Sequence, residues 1–117
     1  MGRAIAAAAT DAGLSIAGGT DRTADGEITP GVAMSDDPLA LAARSDILID
    51  FSAPAALSAH LEACTTAHKP ILIGTTGFEA THHALIDEAA ANIPVLQTGN
   101  TSLGVNLLAD IRRRLVD

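Results

Sequence analysis

At 117 residues the chain has room for one domain with one core, and not for two full domains. Seven Lys and Arg stand against fourteen Asp and Glu, a formal charge of −7, which leaves no basic face for a nucleic-acid backbone. Hydrophobic residues make up 48%, but Phe51 and Phe78 are the only aromatics, which argues against a base-stacking surface and fits Ala-rich helices on Val, Ile and Leu strands. The single cysteine, Cys64, excludes an internal disulfide and a multi-thiolate metal site and points to a reducing compartment. No apolar run approaches a membrane span and no signal-peptide pattern is present, so the expectation is a soluble cytoplasmic protein with neither membrane nor nucleic-acid partner.

In chain order, Met1 to Asp11 reads as a helix with no capping residue ahead of it, ended by Gly13. Leu14 to Ala17 reads as a short strand running into the Gly18-Gly19 turn, and Thr20 to Pro30 as a polar loop. Val32 to Met34 forms a brief strand and Pro38 to Ala43 a short helix. The alternation then becomes regular: a strand at Asp46 to Phe51, a helix at Pro54 to Ala67 with Leu57, Leu61 and Cys64 on one face, and a strand at Pro70 to Ile73. A helix at Glu79 to Ala91 presents Leu85, Ile86 and Ala89, and a strand follows at Ile93 to Leu96. A loop at Gln97 to Ser102 leads to a last helix with an apolar stripe of Leu107, Leu108, Ile111 and Leu115. Strands alternating with helices of this length predict βαβ units and an α/β fold, a Rossmann-like parallel sheet flanked by helices. A domain that opens on a bare helix lacks the first strand, which is central in the usual order, so a weakened or rearranged sheet is expected.

Ligands of open parallel sheets sit outside the carboxyl ends of the strands. Gly74-Thr-Thr-Gly77 follows a strand directly. Its glycines permit close backbone approach, and its hydroxyls and N–H groups can donate to a nicotinamide carboxamide or a ribose. The competing reading is an ordinary turn whose threonines cap the next helix. Thr98-Gly-Asn-Thr-Ser102 precedes the last helix in the same way, with Asn100 suited to a carboxamide and Ser102 to capping. Asp21-Arg22 lies just past the second strand, where an acid accepts from the adenosine ribose and an Arg pairs with a 2′-phosphate; a solvated turn is the alternative.

His82 and His83, adjacent on a helix, point about 100° apart and make a poor metal pair. Together with His60 and His68 they read as surface histidines. Asp50 ends a strand as the phospho-acceptor of a response-regulator receiver does. That fold also needs an acidic pair after its first strand and a strand-end lysine, and Lys69 precedes its strand.

Taken in order, Met1-Gly-Arg, Asp46 to Pro54, Lys69 to Phe78 and Asn100-Thr-Ser-Leu-Gly-Val-Asn106 resemble the N-terminal domain of the 4-hydroxy-tetrahydrodipicolinate (dihydrodipicolinate) reductases. The resemblance implies a single dinucleotide-binding domain over residues 1–117 that takes NADPH or NADH. Met1 would end the phosphate-binding glycine loop, and Asp21 and Arg22 would hold the adenosine ribose and its 2′-phosphate. Gly74, Thr75 and Thr76, with Thr98, Gly99, Asn100 and Thr101, would hold the nicotinamide half. The family's chemistry reduces a dihydrodipicolinate intermediate to tetrahydrodipicolinate on the diaminopimelate route to lysine. Its His-His pair and Lys lie in a second domain with no counterpart here, so no catalytic residue is expected on this chain and no metal is implied. The resemblance further implies a truncation at both ends, no turnover by the chain alone, and a tetramer formed only with the second domain. A free-standing, non-catalytic nucleotide-binding or regulatory module is the rival reading.

Overall fold

The computed structural model describes residues 2–21 and 26–98. The expected last helix, with Leu107, Leu108, Ile111 and Leu115, lies outside these residues. The described chain forms two compact units, one within residues 1–36 and one over residues 37–99.

The first unit opens with helix α1, Gly2–Asp11, which buries Ile5, Ala6 and Ala9 and contacts strand β2. Gly13 ends the helix at φ 83°, with Leu14 N–H donating to Ala9 O at 2.9 Å and Gly13 N–H to Thr10 O at 3.0 Å. These are the two bonds of a Schellman closure, which requires the left-handed backbone that glycine adopts without strain. Beyond it the expected strand at Leu14 to Ala17 is displaced. The paired segment is β1, Gly19–Thr20, parallel to β3, Val32–Ser35, in the register Gly19↔Met34 and Thr20↔Ser35.

A second correction concerns the polar loop. Part of it is strand β2, Glu27–Thr29, antiparallel to β3 with a register shift between Glu27 and Thr29. Pro30-Gly31 makes the hairpin turn, with Gly31 at φ 85° and its N–H donating to Glu27 Oε2 at 3.0 Å. Pro-Gly between Ile28 and Val32 is a turn signal, and the polar residues around it masked the strand.

The second unit positions the site. Helix α2, Pro38–Ala43, is capped by Asp37, whose Oδ1 accepts from Ala40 N–H at 3.1 Å. Strand β4, Leu48–Asp50, leads through a 3₁₀ turn at Pro54–Ala56 into helix α3, Leu57–Ala67. Strand β5, Ile71–Ile73, is followed by helix α4, Ala80–Ala90, and strand β6, Val95–Gln97. The three strands are parallel in the order β4-β5-β6, so the unit is the expected α/β arrangement. Among the described residues β1 and β4 lie at the edges of separate three-stranded sheets.

Ile71, Leu72 and Ile73 are all buried, the continuous apolar run of an inner parallel strand. Leu57, Leu61 and Cys64 of α3 and Ile86 and Ala89 of α4 join Leu48, Ile71 and Ile73 in the core, with Leu85 packed at its edge. Full burial of each of the larger side chains stabilises by roughly 1.5–3 kcal/mol. The last strand starts two residues later than expected. Ile93 is buried, but its N–H donates to Ala89 O at 2.9 Å in the turn that closes α4.

Helix α3 ends in the same Schellman pattern as α1, yet the left-handed position belongs to His68, at φ 56° and ψ 48°. Lys69 N–H donates to Cys64 O at 2.9 Å and His68 N–H to Thr65 O at 3.2 Å. A side chain in this conformation is strained, so His68→Gly is expected to raise stability by about 0.5–1 kcal/mol. The urea midpoint reads the change. A lower midpoint would mean that the imidazole makes a contact worth more than the strain.

Candidate functional site

The three strand ends of the second unit stop in step, with Asp50 beside Ile73 and Ile73 beside Gln97. The ladder extends one residue further: Gly74 N–H donates to Asp50 O and Thr98 N–H to Ile73 O, both at 2.8 Å. Past this rim lies an open cleft of about 240 Å³, lined by Thr75, Thr76, Gly77, Phe78, His83, Gln97 and Thr98. Thr75, Thr76 and Gly77 of the first loop and Thr98, where the second begins, therefore share one cavity.

Among the expected site residues, Thr75, Thr76 and Thr98 line this cleft. Thr75 and Thr98 are buried and Thr76 is exposed. Gly74 stands at the rim against the ring of Phe51. A Cβ there would lie 2.0 Å from Phe51 Cε1, so the ring of Phe51 fills the space of the absent side chain. Asp21 is exposed in the first unit, where its N–H donates to Ser35 O at 2.9 Å. Met1, Arg22, Gly99, Asn100 and Thr101 lie outside the described residues.

Phe78, His83 and Gln97 were not singled out as site residues. Phe78 lies 6.1 Å from the His83 ring, edge to face, and 5.4 Å from His82. His82 is occupied structurally: its Nδ1 accepts the Glu79 N–H at 2.9 Å, in the first turn of α4. The acceptor nitrogen must be unprotonated, so this histidine caps its own helix. Among the described residues no three His, Cys, Asp or Glu are grouped as a metal site would need.

The largest feature that sequence reasoning missed lies beneath the rim. Asp50 is 2% exposed. Its Oδ2 is 2.9 Å from His60 Nδ1, and its Oδ1 accepts from Ser52 N–H at 3.0 Å and from the Ser52 hydroxyl. An ionised carboxylate only accepts, so His60 Nδ1 carries the shared proton. Thr75 Oγ1 accepts from Ser52 N–H at 2.9 Å and lies 3.3 Å from both Asp50 O and Asp50 Oδ1. His60 is thus no plain surface histidine; its side chain is 13% exposed and turned onto a buried acid. The signal available was an Asp at a strand end and a His one helical turn into the next helix, on the side facing back to that strand.

Burial pushes the Asp50 carboxyl up, but the bonds from His60 and Ser52 and the His60 charge outweigh it and hold it below the ordinary 3.8. Burial, with the Asp50 charge adding to it, raises the Cys64 thiol to about 11 and keeps it unreactive. A buried carboxylate with these partners is also closed to a phosphodonor, which disfavours the receiver reading.

The cleft suits a nicotinamide in chemical terms. Thr76 and Gln97 offer donors and acceptors for a carboxamide, and the Phe78 ring offers an apolar wall. No described helix is long and apolar enough to cross a membrane.

Residues 1–101 match the family described as "Dihydrodipicolinate reductase, N-terminus". A 4-hydroxy-tetrahydrodipicolinate reductase of Zymomonas mobilis is 45% identical over 109 residues, covering 93% of this chain and 41% of that protein. One from Acidiphilium cryptum is 40% identical, covering 98% of the chain and 42% of the relative. One from Geobacter metallireducens is 36% identical, covering 100% and 50%. The chain spans half or less of the length of these relatives. With parallel strands ending on a shared polar cleft and a family match over residues 1–101, the chain belongs to the dihydrodipicolinate reductase family, as its N-terminal part.

Proposed function

We propose that this chain is the dinucleotide-binding part of a 4-hydroxy-tetrahydrodipicolinate reductase that uses NADPH or NADH. The observation that carries the reading is the convergence of Thr75, Thr76 and Thr98 on one cleft at the carboxyl ends of parallel strands. When bound there, the reduced nicotinamide would supply the hydride that converts the dihydrodipicolinate intermediate to tetrahydrodipicolinate, a step toward lysine through diaminopimelate. This chain's residues would hold and orient it. The exposed Thr76 hydroxyl would bond the carboxamide and the Phe78 ring would shield one side, and Gly99, Asn100 and Thr101 are assigned to the same nicotinamide half. Gly74 contributes by letting Phe51 close the rim. Asp21 and Arg22 are assigned to the adenosine ribose and its 2′-phosphate, and Met1 to the end of the pyrophosphate loop. The partners proposed for the whole enzyme are its small-molecule substrate and further copies of itself in a tetramer.

Thr76→Val tests the placement of the nicotinamide. The chain has no Trp or Tyr, so nicotinamide fluorescence can be read without their emission. Loss of one hydrogen bond is expected to weaken NADH by about tenfold, while ADP-ribose, which lacks the nicotinamide, binds as before. Equal losses for both ligands, or none for NADH, would remove Thr76 from the nicotinamide. Absence of NADH binding by the unaltered chain would defeat the reading for this chain.

A further inference from the structure

The buried polar cluster joins parts of the chain that the cleft requires to stay in register. Asp50 ends β4, Ser52 begins the connection to α3, His60 lies in α3, and Thr75 belongs to the loop after β5. Of these four, Thr75 alone lines the cleft. Its hydroxyl faces inward: the oxygen takes the Ser52 N–H at 2.9 Å, and its proton has acceptors 3.3 Å away in Asp50 O and Asp50 Oδ1. The side chain is therefore used as a tie between the two strand-end loops. Beside it on the cleft, the exposed residues of this stretch are Thr76 and Gly77.

We propose that Asp50 and His60 are positioning residues for the nicotinamide half of the site, acting through the Thr75 hydroxyl to set the Thr76-Gly77 backbone. This deepens the dinucleotide reading and rests on it. Asp50 is the hub, since its two carboxylate oxygens meet His60, Ser52 and Thr75 at once. His60 acts one step further out. By donating Nδ1–H to Oδ2 it fixes the carboxylate plane and leaves Oδ1 for Ser52 and Thr75. A half-satisfied buried network reorients, and a loop held by it loses its register. No ligand contact by Asp50 or His60 is required.

The decisive experiment is a double-mutant cycle read by NADH titration of the chain, with core amide resonances of Ile86 and Ala89 as the check on folding. Asp50→Asn keeps size and removes charge, and it is expected to weaken NADH about tenfold. Thr75→Val is expected to do the same, and the double variant should be no weaker than either single one within about twofold, because both break one path. Multiplying losses, near a hundredfold together, would mean that Thr75 touches the ligand directly and would overturn the proposal, as would wild-type affinity in Asp50→Asn.

If Asp50→Asn does not fold, His60 supplies an independent arm. His60→Asn places an amide N–H where Nδ1 stood, whereas His60→Leu removes the donor. Leucine should lose most of the affinity and asparagine should restore it, a split that a general packing role would not produce. Equal losses in the two would defeat the proposal. If the unaltered chain binds no NADH, the dinucleotide reading fails, and the positioning effect is read without ligand. The Thr76 and Gly77 amide resonances should then shift in His60→Leu and return in His60→Asn. Unchanged resonances in His60→Leu would overturn it.

Discussion

Replacing Asp50 with alanine is expected to cost the second unit about 3–5 kcal/mol, because it strands several buried donors at about 1–3 kcal/mol each. The total stability of a domain is roughly 5–15 kcal/mol, so this variant stands near the limit of folding. The cause is specific. Asp50 is 2% exposed, and its removal strands His60 Nδ1, the Ser52 N–H and the Ser52 and Thr75 hydroxyls. Asp50→Asn retains the shape and one acceptor oxygen and should cost about 1–3 kcal/mol.

The same group makes a pH prediction with a definite sign. Burial alone would raise the Asp50 carboxyl, but the hydrogen bonds and charge of His60 and the bonds of Ser52 hold it below 3.8 in the folded chain. A depressed folded value means that the ionised form stabilises the fold above the unfolded value, and that this contribution disappears as pH falls through the folded one. The gap in urea midpoint between wild type and Asp50→Asn should therefore be full near neutral pH and close in acid. A gap that stays constant on acidification would show that the carboxylate charge is not what the network uses.

The second large effect is expected at Gly74. A methyl group there would lie 2.0 Å from Phe51 Cε1 and 2.2 Å from Phe51 Cζ, well inside van der Waals contact. The ring must swing away or the strand must yield, and overpacking of this kind costs about 1–3 kcal/mol. Gly74 N–H also donates to Asp50 O at 2.8 Å, so a displaced residue 74 loosens the rim of the cleft. Gly74→Ala should lower amide-exchange protection at Ile73 and Gly74 by about tenfold to a hundredfold. Phe51→Ala in the same chain should restore most of it. If Phe51→Ala gives no rescue, the glycine is needed for something other than the ring.

The parallel α/β character was legible because it is written in local periodicity. Leu57, Leu61 and Cys64 recur at helical spacing, and Ile71, Leu72 and Ile73 are continuous as in an inner strand. The end of the first helix was legible because one residue, Gly13, decides it. Strand β2 was hidden because Glu27 and Thr29 are polar in a short hairpin that buries little. The displacement of the strand expected at Leu14 to Ala17 follows from pairing: a ladder forms where a partner lies, and β3 lies beside Gly19 and Thr20.

For the candidate site, the sequence was enough to place small polar groups at the carboxyl ends of parallel strands, where apolar runs stop at Gly-Thr-Thr-Gly and at Thr98. It could not apportion tasks among them. Folding shows that Gly74 makes room for Phe51, that the Thr75 hydroxyl turns inward while Thr76 is exposed on the cleft, and that Asp50 and His60 meet. The physical reason is distance along the chain. Asp50 and Thr75 are 25 residues apart, and their contact exists only because β4 and β5 pair in one register. Hydrophobic period records which face of an element is buried; it does not record which polar atom on that face will find a partner across the sheet.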